Sequence, residues 1–135
     1  MAFAEWEPRY ETGDAEVDDQ HRHLFGLMND LHETLMAGTA KEKMGGTLRS
    51  LATYTVAHFR AEERLMGGIA YPGLPEHRRK HEELASQVGQ LVVDHDAGRL
   101  TLPLTLARFL VDWLRHHIEE EDMRMVAWGR AAARQ

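Results

Sequence analysis

His58-Phe-Arg-Ala-Glu62, read together with His77-Arg-Arg-Lys-His81, decides the fold of this 135-residue chain. Residues four apart on an α-helix lie on one face, one turn apart, with Cβ atoms about 5–6 Å from each other. Each pair therefore aims two metal-binding side chains at one point. His21 upstream, and His117 and Asp122 downstream, add donors from two further segments. The pattern predicts a metal site assembled inside a helical bundle. One ion takes about four to six ligands, so seven candidates point to more than one ion.

Apolar periodicity supplies the four rods. Asp18 or Asp19 is expected to cap a first helix, with Leu24, Met28, Leu31 and Leu35 as its stripe and Gly38 at its end. His21 lies on that stripe. Thr39-Ala-Lys-Glu42 has the form of a capping box and opens a second helix. Its stripe runs through Leu48, Leu51, Thr55, His58, Glu62 and Leu65, and Gly67-Gly68 stops it. Pro75 suits the first turn of a third helix, carrying His77, His81, Leu84, Val88 and Leu91 and ending near Ala97-Gly98. Pro103 opens the fourth, with Leu106, Leu110, Trp113, Leu114, His117 and Ile118 facing inward and an end near Trp128-Gly129.

Short connections between such helices predict an all-α, up-down-up-down antiparallel four-helix bundle. The expected organisation is a single domain: a non-helical N-terminal arm over 1–17, the bundle over 18–129 and a tail over 130–135. Alternating direction carries His21, His58, Glu62, His77, His81 and His117 to one end of the bundle. An unpaired polar group in a core costs about 1–3 kcal/mol. Several at one depth are sustainable when metal coordination satisfies them together.

The charge balance narrows the partners. A formal charge of −6 without a basic stripe argues against nucleic acid and anionic membranes. No apolar run approaches the roughly 20 residues of a membrane span, and no apolar segment follows a basic start as in a signal peptide. The absence of cysteine removes disulfides, iron–sulfur clusters and thiolate zinc sites, and fits a reducing cytoplasm. A monomer is expected, because the inward positions are used up within one bundle.

His23 and His116 point off the inner stripes and read as solvated surface. His32 and His95 read as far-end or boundary residues. On the fourth helix, Glu121 repeats the i,i+4 geometry from His117, whereas Asp122 at i+5 lies about 140° around an ideal helix. Simple geometry favours Glu121, and Asp122 reaches the site only through a distortion such as a π-bulge. His77-Arg-Arg-Lys-His81 lacks the Glu that a zincin protease uses as general base. Imidazole donors leave iron, copper, zinc and nickel open.

The motifs together resemble the bacterial hemerythrins. Val17-Asp-Asp-Gln-His21-Arg-His-Leu-Phe25 is similar to the family's first-helix motif. His58-Phe59-Arg-Ala-Glu62-Glu63, His77-x3-His81 and Trp113-Leu-x2-His117-Ile118-x3-Asp122 are similar to the other three. The likeness runs from Trp6 to about Asp122. It implies two iron ions with an oxo or hydroxo bridge. His77, His81 and His117 would hold one, His21 and His58 the other, and Glu62 and Asp122 both. It thus selects Asp122 over Glu121 and implies an irregular turn between Ile118 and Asp122.

The resemblance also implies a vacancy. Two six-coordinate irons offer twelve positions; five imidazoles, two bridging carboxylates and a bridging hydroxide fill eleven, leaving one on the iron with two histidines. An open position separates a reactive site from a structural one. Phe59, Trp113, Leu114 and Ile118 are expected to wall it, besides serving as ordinary core. The function implied is reversible, non-enzymatic dioxygen binding for carriage, storage or delivery. A sensor of oxygen, nitric oxide or redox state is the second reading, and a di-iron enzyme acting on peroxide or nitric oxide the third.

Overall fold

The computed structural model describes residues 3–37, 41–98 and 104–133, with backbone alone at 41–42 and 104–106. Gly38, the Thr39–Ala40 start of the expected capping box, Pro103 and the end of the tail fall outside the described residues, as does the Leu106 side chain. The helices are α1 (Ala15–Met36), α2 (Lys41–Gly68), α3 (Leu74–Asp96), α4 (Leu104–His117) and α5 (Met123–Ala133). A single π-helical turn, Ile118–Asp122, joins α4 to α5, so the two form one interrupted rod. No strand occurs among the described residues.

Antiparallel order follows from who meets whom. His21, early in α1, contacts Glu62, late in α2. His77 and His81, early in α3, meet Glu62, Asp122 and His117. α2 packs between α1 and α3, and α4 packs on α1. This is the four-helix bundle the periodicity predicts.

The start of α1 departs from expectation. Asp14, rather than Asp18 or Asp19, caps the helix, accepting from the Val17 backbone N–H at 3.0 Å. An Asp one turn earlier satisfies an orphan donor of the first turn and frees Asp18 for another task. Asp18 is buried and accepts from Thr12 N and Thr12 Oγ1, each at 2.8 Å, and from Gly13 N at 3.1 Å. It thereby pins the arm to the bundle. Gly13 has φ +93°, and a Cβ there would stand 2.0 Å from Arg130 Nη2 of α5. The left-handed backbone favours glycine there, and the movable Arg130 guanidinium packs over it.

The arm is ordered rather than loose. It contains a 3-10 turn at Pro8–Tyr10, and Tyr10 is fully buried. Trp6, Tyr10 and Phe25 form a tilted and edge-on aromatic cluster. At the other end, α5 runs past the expected Trp128-Gly129 stop to Ala133. Trp128 Nε1 donates to the Ile69 carbonyl at 3.1 Å, tying α5 to the turn after α2.

Two apolar clusters bracket the polar layer. The larger joins Leu24, Met28, Leu31, Leu48, Leu51, Leu84, Val88, Leu110 and Leu114. The smaller, Val17, Met66, Met125 and Val126, lies one helical turn beyond His21, Glu62 and Asp122. Met66 takes the buried place assigned to Leu65, which is half-buried at the cluster's rim.

Candidate metal centre

Seven polar side chains meet between those clusters. His21, His58, Glu62, His77, His81, His117 and Asp122 are each at most 4% exposed. Their donor atoms fall into two overlapping groups. Glu62, His77, His81, His117 and Asp122 form one; His21, His58, Glu62 and Asp122 form the other, with atoms within 4.8 Å of one another in each. The two carboxylates are common to both.

The π turn delivers Asp122. With one extra residue in the turn, position i+5 from His117 comes round to the inner face. Asp122 is fully buried, with Oδ1 2.9 Å from His77 Nε2 and 3.2 Å from His117 Nε2. Glu121, which ideal spacing favours, turns outward instead and pairs with Lys80. Burial raises the Glu121 pKa, but the Lys80 ammonium outweighs that and holds it below its ordinary value.

Hydrogen bonds alone leave this layer unsatisfied. Neither ring nitrogen of His77 and neither oxygen of Asp122 has a partner in hydrogen-bond geometry. His21 Nδ1, His58 Nε2 and Glu62 Oε1 are orphaned likewise. Imidazole nitrogens also face one another, His81 Nε2 standing 2.9 Å from His117 Nε2. Orphans in a dry layer are expensive. Cations placed among the inward Nε2 and carboxylate lone pairs would satisfy those atoms together, leaving only Nδ1 of His21 and His77 outside the set, and imidazole with carboxylate suits transition metals.

Protons perform part of that duty in the metal-free protein. Burial disfavours a charged His21, but the facing Asp122 and Glu62 carboxylates outweigh it and raise its pKa to about 10. The same opposition brings His77 to about 9. Burial pushes Glu62 upward, yet His58 and the other imidazoles hold it well below its usual range. Asp122 is likewise depressed, burial and Glu62 being outweighed by His117 and His21.

Rings and aliphatic side chains fix the geometry. Phe59 stacks on His81 with centroids 3.8 Å apart, and Trp113 on His117 at 4.6 Å. Phe59 and Trp113, expected to wall the two-histidine side, thus lie against imidazoles of the three-histidine group. Leu114 and Ile118 are buried in the core beside them. His23 and His116 are exposed, His32 stacks on Phe3, and buried His95 contacts Asp96.

Two residues inside the quoted motifs received no role from the sequence. Gln20 Oε1 accepts from His58 Nδ1–H at 2.6 Å, and Glu63 Oε2 from His81 Nδ1–H at 3.0 Å. Their adjacency to His21 and Glu62 was the available signal. Which imidazole each would reach depended on how neighbouring helices align.

Comparisons with known proteins agree with this architecture. A family model described as the hemerythrin HHE cation binding domain matches residues 12–128. A bacteriohemerythrin of Methylococcus capsulatus is 32% identical over 123 residues, covering 90% of this chain and 93% of that protein. One from Stenotrophomonas maltophilia is 31% identical over 124 residues, covering 90% of this chain and 78% of its own length. The crystal structure of a wild-type hemerythrin superposes with TM-score 0.88 at 29% identity, spanning 98% of this chain and 99% of that one. A family domain covering most of the chain, on the same bundle, leads to one conclusion: the chain belongs to the hemerythrin family.

Proposed function

We propose that this protein binds dioxygen reversibly at a di-iron centre held by His21, His58, Glu62, His77, His81, His117 and Asp122. The observation that carries the reading is the asymmetry of the two donor groups, which share two carboxylates but have three and two imidazoles. His77, His81 and His117, with the two shared carboxylates, would offer one ion five donors. His21 and His58 leave the other a place short. Bound iron supplies the redox chemistry that dioxygen binding requires.

The chain's own residues set the conditions. Glu62 and Asp122 hold the two halves together through their paired oxygens. Fixed Nδ1–H bonds present Nε2 of His58 and His81 to the centre. Leu114 and Ile118, buried at 1% and 0% exposure, keep water from the layer. Water exclusion suppresses protonation and loss of a bound oxygen species.

A binding role is favoured over turnover. Among the described residues, the fully buried titratable groups at the centre all belong to the donor set, leaving none for acid–base work on a substrate. No helix among the described residues is long and apolar enough to cross a membrane. We further infer a single-domain monomer in a reducing cytoplasm, supported by the few large apolar residues exposed among the described residues and by the absence of cysteine.

Ultraviolet–visible spectra of the iron-loaded, reduced protein test the function. A charge-transfer band should grow in air and vanish on deoxygenation, through repeated cycles. A band that forms once and never reverses contradicts reversible binding.

A further inference from the structure

The two halves of the centre are oriented by partners of different charge. His81 Nδ1–H donates to a carboxylate, Glu63 Oε2, at 3.0 Å. The other oxygen of that carboxylate, Oε1, accepts from Arg78 Nε at 3.2 Å, which fixes it in place. His58 Nδ1–H donates to a neutral amide, Gln20 Oε1, at 2.6 Å. Glu63 is partly shielded, its side chain 19% exposed, so its charge is only partly screened. By contrast, His77 Nδ1 and His21 Nδ1 have no hydrogen-bond partner.

We propose that Glu63 and Gln20 are positioning residues that make the two metal positions electronically unequal. Both fix the ligating tautomer, because an engaged Nδ1–H leaves Nε2 as the donor. They differ in what they add. An anionic acceptor draws the Nδ1 proton outward and makes His81 Nε2 a stronger donor. An amide carbonyl does so less, leaving His58 the weaker donor on the two-histidine side. The three-histidine position is therefore the more electron-rich, and the position with the open place is held less tightly. The Phe59 ring stacked on His81 keeps that imidazole in the plane the Glu63 bond requires.

This inference rests on the two-metal reading, and the experiment separates the two. Wild-type protein, Glu63→Gln, Glu63→Leu and Gln20→Leu are each titrated with cobalt(II), whose visible bands report its ligands, against a competing chelator. Circular dichroism checks that each variant is folded. Wild-type protein should bind two cobalt ions. Glu63→Leu should weaken one of them about 10–100-fold, and Gln20→Leu should weaken the other. Glu63→Gln keeps an acceptor and should recover most of that affinity. In iron-loaded protein, Glu63→Gln should still raise the reduction potential, because the charge is gone, and Gln20→Glu should lower it. Wild-type protein that takes fewer than two cobalt ions overturns both readings. Two tightly bound cobalt ions in Glu63→Leu, or a potential unmoved in Glu63→Gln, overturns this one alone.

Discussion

Asp122 Oδ2 stands 2.9 Å from His21 Nε2, joining the last rod of the bundle to the first across its buried centre. The π turn at Ile118–Asp122 makes that contact, since an ideal helix would carry Asp122 round to another face. One inserted residue therefore converts an exposed acid into a group shared by both halves of the centre. Asp122→Ala should abolish uptake of the second iron, and Glu121→Ala should leave both irons in place. Metal analysis per chain after iron loading checks the contrast.

His58 belongs to the two-histidine group alone. His58→Ala leaves that group one imidazole and two shared carboxylates, too few donors for a well-held ion. Iron content should fall from two per chain toward one, with the three-histidine position retained. Equal loss from both positions would show that the halves are not separable.

Ile118 is fully buried at the junction of α4 and the π turn. Ile118→Ala should cost about 2–4 kcal/mol of stability through lost burial and a cavity. It removes no donor, so both irons should remain. The lifetime of the oxygenated form should shorten as water enters. Denaturant unfolding and the decay of the visible band measure the two effects independently.

Metal and protons compete for the same imidazoles, which sets a pH dependence. His21 at about 10 and His77 at about 9 lie above the unfolded value near 6.5. Their contribution to the stability of metal-free protein is whole below about pH 6.5 and is lost as pH rises toward 9–10. Glu62 and Asp122 are depressed, so theirs is present above about pH 4 and lost as pH falls. Metal-free protein should thus be most stable near pH 4.5–6.5. Bound metal expels those protons, so uptake should acidify a weakly buffered solution and abolish the alkaline loss. Calorimetric unfolding from about pH 3 to 10, with and without metal, checks both signs.

Gly13 combines a left-handed backbone with contact against Arg130. Gly13→Ala should destabilise by about 1 kcal/mol through backbone strain at φ +93°, since the Arg130 guanidinium can move aside. Since Gly13 touches no donor, iron stoichiometry should stay at two. Thermal unfolding with metal analysis tests both statements.

The bundle was legible in the sequence because its signal is periodic. Leu24, Met28 and Leu31, or Leu84, Val88 and Leu91, mark one helical face each and are buried as such. The i,i+4 pairs His58/Glu62 and His77/His81 were readable for the same reason. Asp122 was not readable from spacing, because a π turn breaks the period that spacing arguments use; only the family resemblance selected it. The Asp14 cap and the Asp18 bonds to Thr12 and Gly13 were hidden by a run of equally suitable acids. Gln20 and Glu63 act across helix interfaces, where a single sequence carries no record of register.

Dioxygen released per chain is the most direct measurement of the central claim. Iron-loaded, reduced protein is equilibrated with oxygen, freed of unbound gas, and then deoxygenated while the released gas is quantified. One dioxygen should be released for every two irons, and again in the next cycle. Oxygen consumed without return, or a chain that holds zinc and refuses iron, contradicts it.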